Sequence, residues 1–178
     1  MALHCHAQLF LFGVLCIGAV IAENVTCTDP QALSDIDLDK VYGDWFVGKA
    51  HGPVRFTNDR SHCYITSFIK INGTTLEATA EMDGVTTSRI FTTENAGTWQ
   101  DTFVDRSIQV IYLSADGTTL ALAFCVPSYA EPGLLLLSKV LPISPDKIAE
   151  VNQAKEIAGV SVHDHRFKWD SEATCPPP

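Results

Sequence analysis

The chain has 178 residues, with 21 Asp and Glu against 12 Lys and Arg, for a formal net charge of −9. That balance argues against nucleic acid as a partner, which needs a basic footprint, and against docking on an anionic membrane surface. With 46% hydrophobic and 19% charged residues, the composition is that of one folded domain with a sizeable core.

Ala7 to Ala22 is a nearly unbroken apolar run, interrupted by Gln8. It is short for a membrane span, which takes about 20 apolar residues. Val20 and Ala22 place small side chains where a signal peptidase reads them, which predicts a signal peptide over 1–22 with cleavage after Ala22. The competing reading is an N-terminal anchor. Secretion leaves residues 23–178 as the mature domain and retains the whole charge, since the leader has no Asp, Glu, Lys or Arg.

Cys5 and Cys16 leave with the leader, while Cys27, Cys63, Cys125 and Cys175 remain. Four cysteines in an oxidising compartment predict two disulfides in one of three pairings. Zinc is the alternative, but no two of the four stand at the close spacing of metal sites. The sequons at Asn24 and Asn72 suit the same extracellular route and make the product a candidate glycoprotein. Asn24 lies close to the cleavage point and to Cys27, so Asn72 is the better acceptor.

Beyond a polar lead (Asp29 to Lys40), glycine turns divide the chain into eight strand-like runs. They are Asp44–Ala50, His62–Ile71, Thr75–Glu81, Val85–Thr93, Thr98–Val104, Ser107–Ser114, Thr118–Val126 and Gly133–Val140. The pairs Asn72-Gly73, Asp83-Gly84, Ala96-Gly97 and Asp116-Gly117 are turn formers. Such short connections force antiparallel neighbours, and an eight-strand meander protects its edges by closing. The expected fold class is therefore all-β, an eight-stranded antiparallel up-and-down barrel.

Alternation assigns faces. Leu76, Ala78 and Met82 share one side, as do Trp99, Asp101 and Phe103, then Val110 and Tyr112, then Leu120 and Leu122. Leu134 to Leu137 is apolar throughout, which implies burial on both faces. Ser144-Pro145 then opens a helix as N-cap and first residue. Ile148, Val151, Ala154 and Ala158 form its apolar stripe, and Gly159 ends it. The stripe is expected against the outside of the barrel. An extended segment, Val162 to Trp169, follows.

In this setting the chain resembles the lipocalin family. Gly43-Asp44-Trp45 matches the family's G-x-W signature at the start of the first strand, Asp116 gives a partial match to the second motif, and Lys139 stands where an arginine normally covers the tryptophan. Lysine lacks the guanidinium plane, so its contact with Trp45 is expected to be looser. The cysteine layout is similar to that of secreted arthropod lipocalins of the bilin-binding, cockroach-allergen and salivary kinds. The resemblance implies the pairing Cys27–Cys125 and Cys63–Cys175.

It also implies an extracellular carrier of a small, mostly hydrophobic ligand held against Leu76, Ala78, Met82, Trp99, Asp101, Phe103, Tyr112 and Leu122. The alternative function is a secreted binder or inhibitor acting on biogenic amines, lipid mediators or host proteins. Asp101 suits a cationic amine in an apolar site, but the expected reading is a pair with Arg89 or exposure to water, since charged residues are rarely buried unpaired. Tyr112 offers a ligand a hydroxyl or is a core residue with its hydroxyl satisfied. His163 and His165 alternate around Asp164 without a third ligand in view, so no metal is expected. The central strands Thr75 to Val126 contain no histidine to hold haem, and no cofactor is expected. There is no G-x-S-x-G nucleophile elbow, and pairing leaves no mature free cysteine. No enzymatic activity is expected.

Overall fold

The structure, a computed structural model, describes residues 27–51, 63–82, 85–125, 132–160, 169–170 and 175, with Met82, Trp169 and Asp170 described by backbone alone. The signal peptide and cleavage site expected from the sequence, the Asn24 sequon, the Asp83-Gly84 turn, His163 and His165 lie outside the described residues.

Helix α1 (Leu38–Val41) precedes strands β1 (Gly43–His51), β2 (Ile65–Asn72), β3 (Thr75–Met82) and β4 (Val85–Asn95). β5 (Thr98–Asp101), β6 (Ser107–Leu113), β7 (Thr119–Phe124), β8 (Gly133–Ser138), helix α2 (Pro145–Ile157) and β9 (Trp169–Asp170) complete the chain. The sheet order is β2-β3-β4-β5-β6-β7-β8-β1-β9, with β1 also paired to β2. That second pairing closes eight antiparallel strands into a barrel. The short helix α1 falls within the stretch read from sequence as a polar lead. Its N-cap is Asp37, whose carboxylate accepts from the Asp39 amide at 3.1 Å.

Strand β1 makes the closure. It pairs with β8 over Phe46–His51 and with β2 over Gly43–Phe46, and higher up it pairs with β9 through Lys49 and Ala50. The chain's C-terminal segment thus occupies the edge that β2 leaves. Cys63, just before β2, is bonded to Cys175, just after β9, and Cys27 is bonded to Cys125 after β7. Both bonds tie a terminal arm to the wall across sequence separations of 98 and 112 residues.

Apolar side chains divide between two cores. One, inside the barrel, joins Trp45, Phe68, Leu76, Phe91, Trp99, Val110, Leu120, Leu122 and Leu137. The other lies on the outer wall, where Ile111, Ala121, Ala123, Leu134 and Leu136 meet Ile143 and the α2 residues Ile148 and Val151, with Ala158 just beyond the helix. β7 therefore alternates leucine inward and alanine outward, and the small alanines let α2 approach. The two-sided burial expected for β8 is present, with Leu137 inward and Leu134 and Leu136 outward. α2 begins as expected: Ser144 Oγ accepts from the Lys147 amide. It ends before Gly159 at φ +72°.

The N-terminal arm crosses the wall at Gly97. Leu33 donates its amide to the Val110 carbonyl at 2.8 Å, and Val110 donates to the Gly97 carbonyl at 2.8 Å. A Cβ at Gly97 would lie 1.9 Å from the Leu33 carbonyl oxygen, so the crossing requires glycine. Gly97→Ala is expected to lower unfolding free energy by about 1–3 kcal/mol, as overpacking does. Gly73→Ala, where a Cβ meets nothing within 4 Å, should change little. Urea midpoints of the two variants check the contrast.

Candidate functional site

The two ends of the barrel differ. At one end, α1 and the turns after β2, β4 and β6 gather beneath Trp45. Its indole Nε1 donates to the Val41 carbonyl at 2.7 Å, and the Lys139 ammonium sits 4.6 Å from its ring centroid. Lys139 also donates to the carbonyls of Lys40 and Tyr42 at 3.0 and 3.2 Å. The lysine thus makes the cation contact expected of it and adds two backbone bonds to α1 and the residue that follows it. Lys40 reaches across to the Ala115 carbonyl at 2.9 Å. Gly43 stands at φ +105°, a conformation suited to glycine, and Asp116 closes the β6–β7 turn by accepting from Ser114 and Thr118. This end is closed by packing.

Above it the inward residues are first fully buried and then progressively more exposed. Trp45, Trp99, Leu76, Val110, Leu120 and Leu137 are fully inaccessible, and Phe68 meets Trp99 edge-on at 5.5 Å. Register then carries one inward row from Leu76 to Phe91 to Asp101, all three buried. The next row up, Phe68–Ala78–Arg89, passes from buried to half-buried to exposed. The row above that, Thr66–Ala80–Thr87, has no buried member. At about 3.3 Å per residue these rows span about 13 Å along the tilted strands, or about 10 Å along the barrel axis, and the part above Leu76 is termed the cup. Asp101, 7% exposed, is the polar member of the buried row.

Of the expected ligand residues, Leu76, Ala78, Trp99, Asp101 and Leu122 lie on the inward face. Trp99 and Leu122 belong to the filled part, whereas Ala78 lies in the cup and Leu76 and Asp101 at its base. Met82 falls on the same face by register, and its side chain is outside the described set.

Phe103 does not share the face of Trp99 and Asp101. β5 stops at Asp101, whose carboxylate accepts from the Phe103 amide at 2.8 Å, and this turn leaves the phenyl ring 67% exposed. Tyr112 also departs from its expected face. The β6–β7 register shifts between Val110 and Tyr112, so Val110 points inward while Ile111 and Tyr112 pack with the outer core. A bulge of one residue reverses every later side chain.

The lumen residues missed from sequence are Phe68, Phe91 and Arg89. Alternation along Val85–Phe91 could have placed Arg89 and Phe91 together. Asp101 and Arg89 are diagonal neighbours, but the ion pairs among the described residues do not join them. Asp101 is only 7% exposed. On the outside, a polar groove of about 360 Å³ beside the Cys27–Cys125 bond is lined by Asp29, Gln100, Asp105, Arg106 and Ser107. It is separate from the lumen, because Gln100 and Ser107 lie on the face opposite Trp99 and Ile108. Among the described residues no three His, Cys, Asp or Glu side chains gather to hold a metal ion.

No family sequence model matches the chain, and no curated protein matches it. Solved structures do share its architecture. The major allergen Per a 4 from cockroaches superposes with a TM-score of 0.61 at 16% identity, covering 82% of this chain and 94% of the allergen. The siderocalin Ex-FABP, described as functioning through dual ligand specificities, gives 0.53 at 12% identity over 70% of this chain and 85% of its own. The fold is that of the lipocalins.

Tyr112 does hold the helix to the barrel. Its hydroxyl donates to Glu150 of α2, while Lys147 pairs with Glu150 at 3.4 Å and Asp116 at 3.9 Å. Burial, then the bond to Glu150, pushes the phenol above its ordinary value of 10.0. The Tyr112 bond holds Glu150 below the usual carboxylate range, and hydrogen bonds from Ser114 and Thr118 take Asp116 from 3.8 to about 2. The lowered carboxyls stabilise the fold above their unfolded values, and that contribution is lost as pH falls through the folded ones, for Asp116 between 3.8 and about 2. The raised phenol does the reverse: its contribution is complete below pH 10.0 and is lost as pH climbs beyond it. The melting temperature should therefore fall on both limbs, and Tyr112→Phe should flatten the alkaline one. Thermal scans against pH check this.

Proposed function

We propose that the protein is a secreted, extracellular carrier that holds a small, mostly apolar ligand in the cup above Leu76, Phe91 and Asp101, and that it catalyses no reaction. The observation that carries this reading is the change along the inward face. Large side chains fill the base, and half-buried Ala78, Ala80 and Thr66 lie above them. Such an arrangement favours apolar surface over polar surface because ligand burial contributes about 25 cal/mol per Å². Two disulfides support the secreted route.

Asp101 refines the ligand class. Its carboxylate lies at the base of the cup with one described donor, the Phe103 amide. A carboxylate accepts several hydrogen bonds, so an amphipathic ligand with a protonated amine would complete its shell. The amine variant of the carrier rests on that vacancy of donors.

Titration of purified protein with a fluorescent fatty-chain probe and with an aromatic primary amine tests both levels. Both should bind and displace one another. Ala80→Phe, which fills the cup, should weaken both by about tenfold or more. Asp101→Asn keeps an acceptor for the Phe103 amide, so it should weaken the amine by about tenfold or more while sparing the neutral probe. Wild-type protein that retains neither probe would overturn the carrier reading. Equal amine binding by Asp101→Asn would remove the amine variant alone.

A further inference from the structure

The barrel's outer surface carries exposed isoleucines along β2. On β2, Ile65, Ile69 and Ile71 are 39%, 50% and 49% exposed. Ser67 separates Ile65, which lies opposite Phe46 of β1, from the pair Ile69 and Ile71 near the end of the strand, and β3 beside that pair presents Glu77, Thr79 and Glu81, with Thr86, Ser88 and half-buried Ile90 beyond on β4. Outward positions of an antiparallel sheet that face water are ordinarily polar. α2 covers the opposite wall, over β6 to β8, and leaves these isoleucines uncovered.

The strand runs into a tight turn. The β2–β3 register shifts between Lys70 and Asn72, which makes Ile71 the extra residue of a bulge. Asn72-Gly73-Thr74 then forms the connection. Asn72 Oδ1 accepts from the Thr74 amide at 2.9 Å and from the Thr74 hydroxyl at 3.3 Å. Those bonds use the side-chain oxygen. The amide nitrogen Nδ2 has no partner among the described residues, and Asn72, Gly73 and Thr74 are all exposed. A substituent on Nδ2 therefore breaks no hydrogen bond of the fold and meets no packed neighbour.

We infer that Asn72 carries an N-linked glycan and that its first sugars lie over Ile69 and Ile71, covering the apolar end of β2. The inference rests on the secretory route proposed above. In the transfer, the Asn72 amide nitrogen attacks C1 of the first sugar of a lipid-linked oligosaccharide. The C1–oxygen bond to the lipid pyrophosphate breaks, the nitrogen–C1 bond forms, an amide proton leaves to base, and the lipid pyrophosphate departs. Transfer takes place on the chain before it folds, and the folded turn then keeps the product in water. Reach supports the placement: Ile71 is adjacent to Asn72 and Ile69 is three residues away, about 10 Å along the strand. Ile65 lies about 23 Å away and is outside the range of the first sugars.

The test expresses the full chain in insect cells and compares wild type with Asn24→Gln, Asn72→Gln and Thr74→Ala. The expected result is secreted wild type that loses mass on peptide N-glycosidase treatment, with conversion of Asn72 to Asp in the corresponding peptide. Asn72→Gln and Thr74→Ala should lack that glycan, and Asn24→Gln should keep it. A hydrophobic fluorescent dye should bind the enzymatically deglycosylated protein more strongly than the glycosylated form. In an Ile69→Thr/Ile71→Thr variant, which keeps β-branched residues in the strand, that difference should disappear. Secreted protein with Asn72 unmodified would overturn the inference and leave the carrier reading to the probe titrations. A modified Asn72 with no change in dye binding would overturn the shielding. Chain retained in the cytosol would overturn the secretory route and the glycan together, without touching the cup.

Discussion

Everything in this molecule depends on strand β1 having partners on both edges. A sheet of eight strands left open would expose two rows of backbone donors and acceptors. By pairing with β8 over most of its length and with β2 at its beginning, β1 removes both rows and converts one face of the sheet into an interior. β2 diverges above Phe46, and β9 takes the vacated edge at Lys49 and Ala50. The Cys63–Cys175 bond then makes mechanical sense. It holds together the segments that enter β2 and leave β9, which border β1 on the same side. Closing such long loops constrains the unfolded chain by about 5 kcal/mol each in the entropic description.

Closure creates an inside, but the outer wall needs its own solution. β7 and β8 carry apolar residues on both faces, and the wall they form is stable in water only beneath α2. The bulge at Val110–Tyr112 serves that wall. It keeps Val110 in the lumen while placing both Ile111 and Tyr112 outward, where the isoleucine packs and the phenol bonds to Glu150. A second irregularity, between Val47 and Lys49, does comparable work. Gly48 lies within it, and a Cβ there would come 2.3 Å from Ile143 Cδ1. Missing side-chain volume in β1 lets the segment leading to α2 lie flat on the barrel.

The same features explain what could be read in the sequence. Strand number, order and closure were legible because the turns are chemically explicit and the period of two is clean in β3 and β7. The two-sided run Leu134–Leu137 and the capped, stripe-bearing helix also stated their own surroundings. Helix α1 was not legible, since four residues show no period and its cap, Asp37, sits in a stretch of polar residues. Tyr112 was misplaced because a bulge is invisible to alternation: one added residue inverts the pattern with no composition signal. Phe103 was misplaced for a different reason. Alternation continues through it, and only the local bond from its amide to Asp101 ends the strand. Half of the cup was therefore visible, in Leu76, Ala78 and Asp101. The rest, Phe68, Phe91 and Arg89, becomes evident only when register joins three strands into rows.

Why the lumen opens where it does follows from side-chain size along one strand. An eight-stranded barrel has an interior about wide enough for side chains to fill it or for one small ligand to replace them. The inward residues of β3 run Leu76, Ala78, Ala80, shrinking toward the mouth. At the level of Leu76 the opposing residue on β4 is Phe91, and the wall is complete. Two residues higher the opposing residue is Arg89, whose long chain is exposed at the mouth. Asp101 stands at the level where filling gives way to space. Lower down its carboxylate would be buried among aromatic rings at a prohibitive desolvation cost, and higher up it would be fully hydrated and bind nothing selectively. At the boundary it is buried and accepts from the Phe103 amide. Among the described residues it is therefore the carboxylate on which the proposed amine variant of the carrier rests.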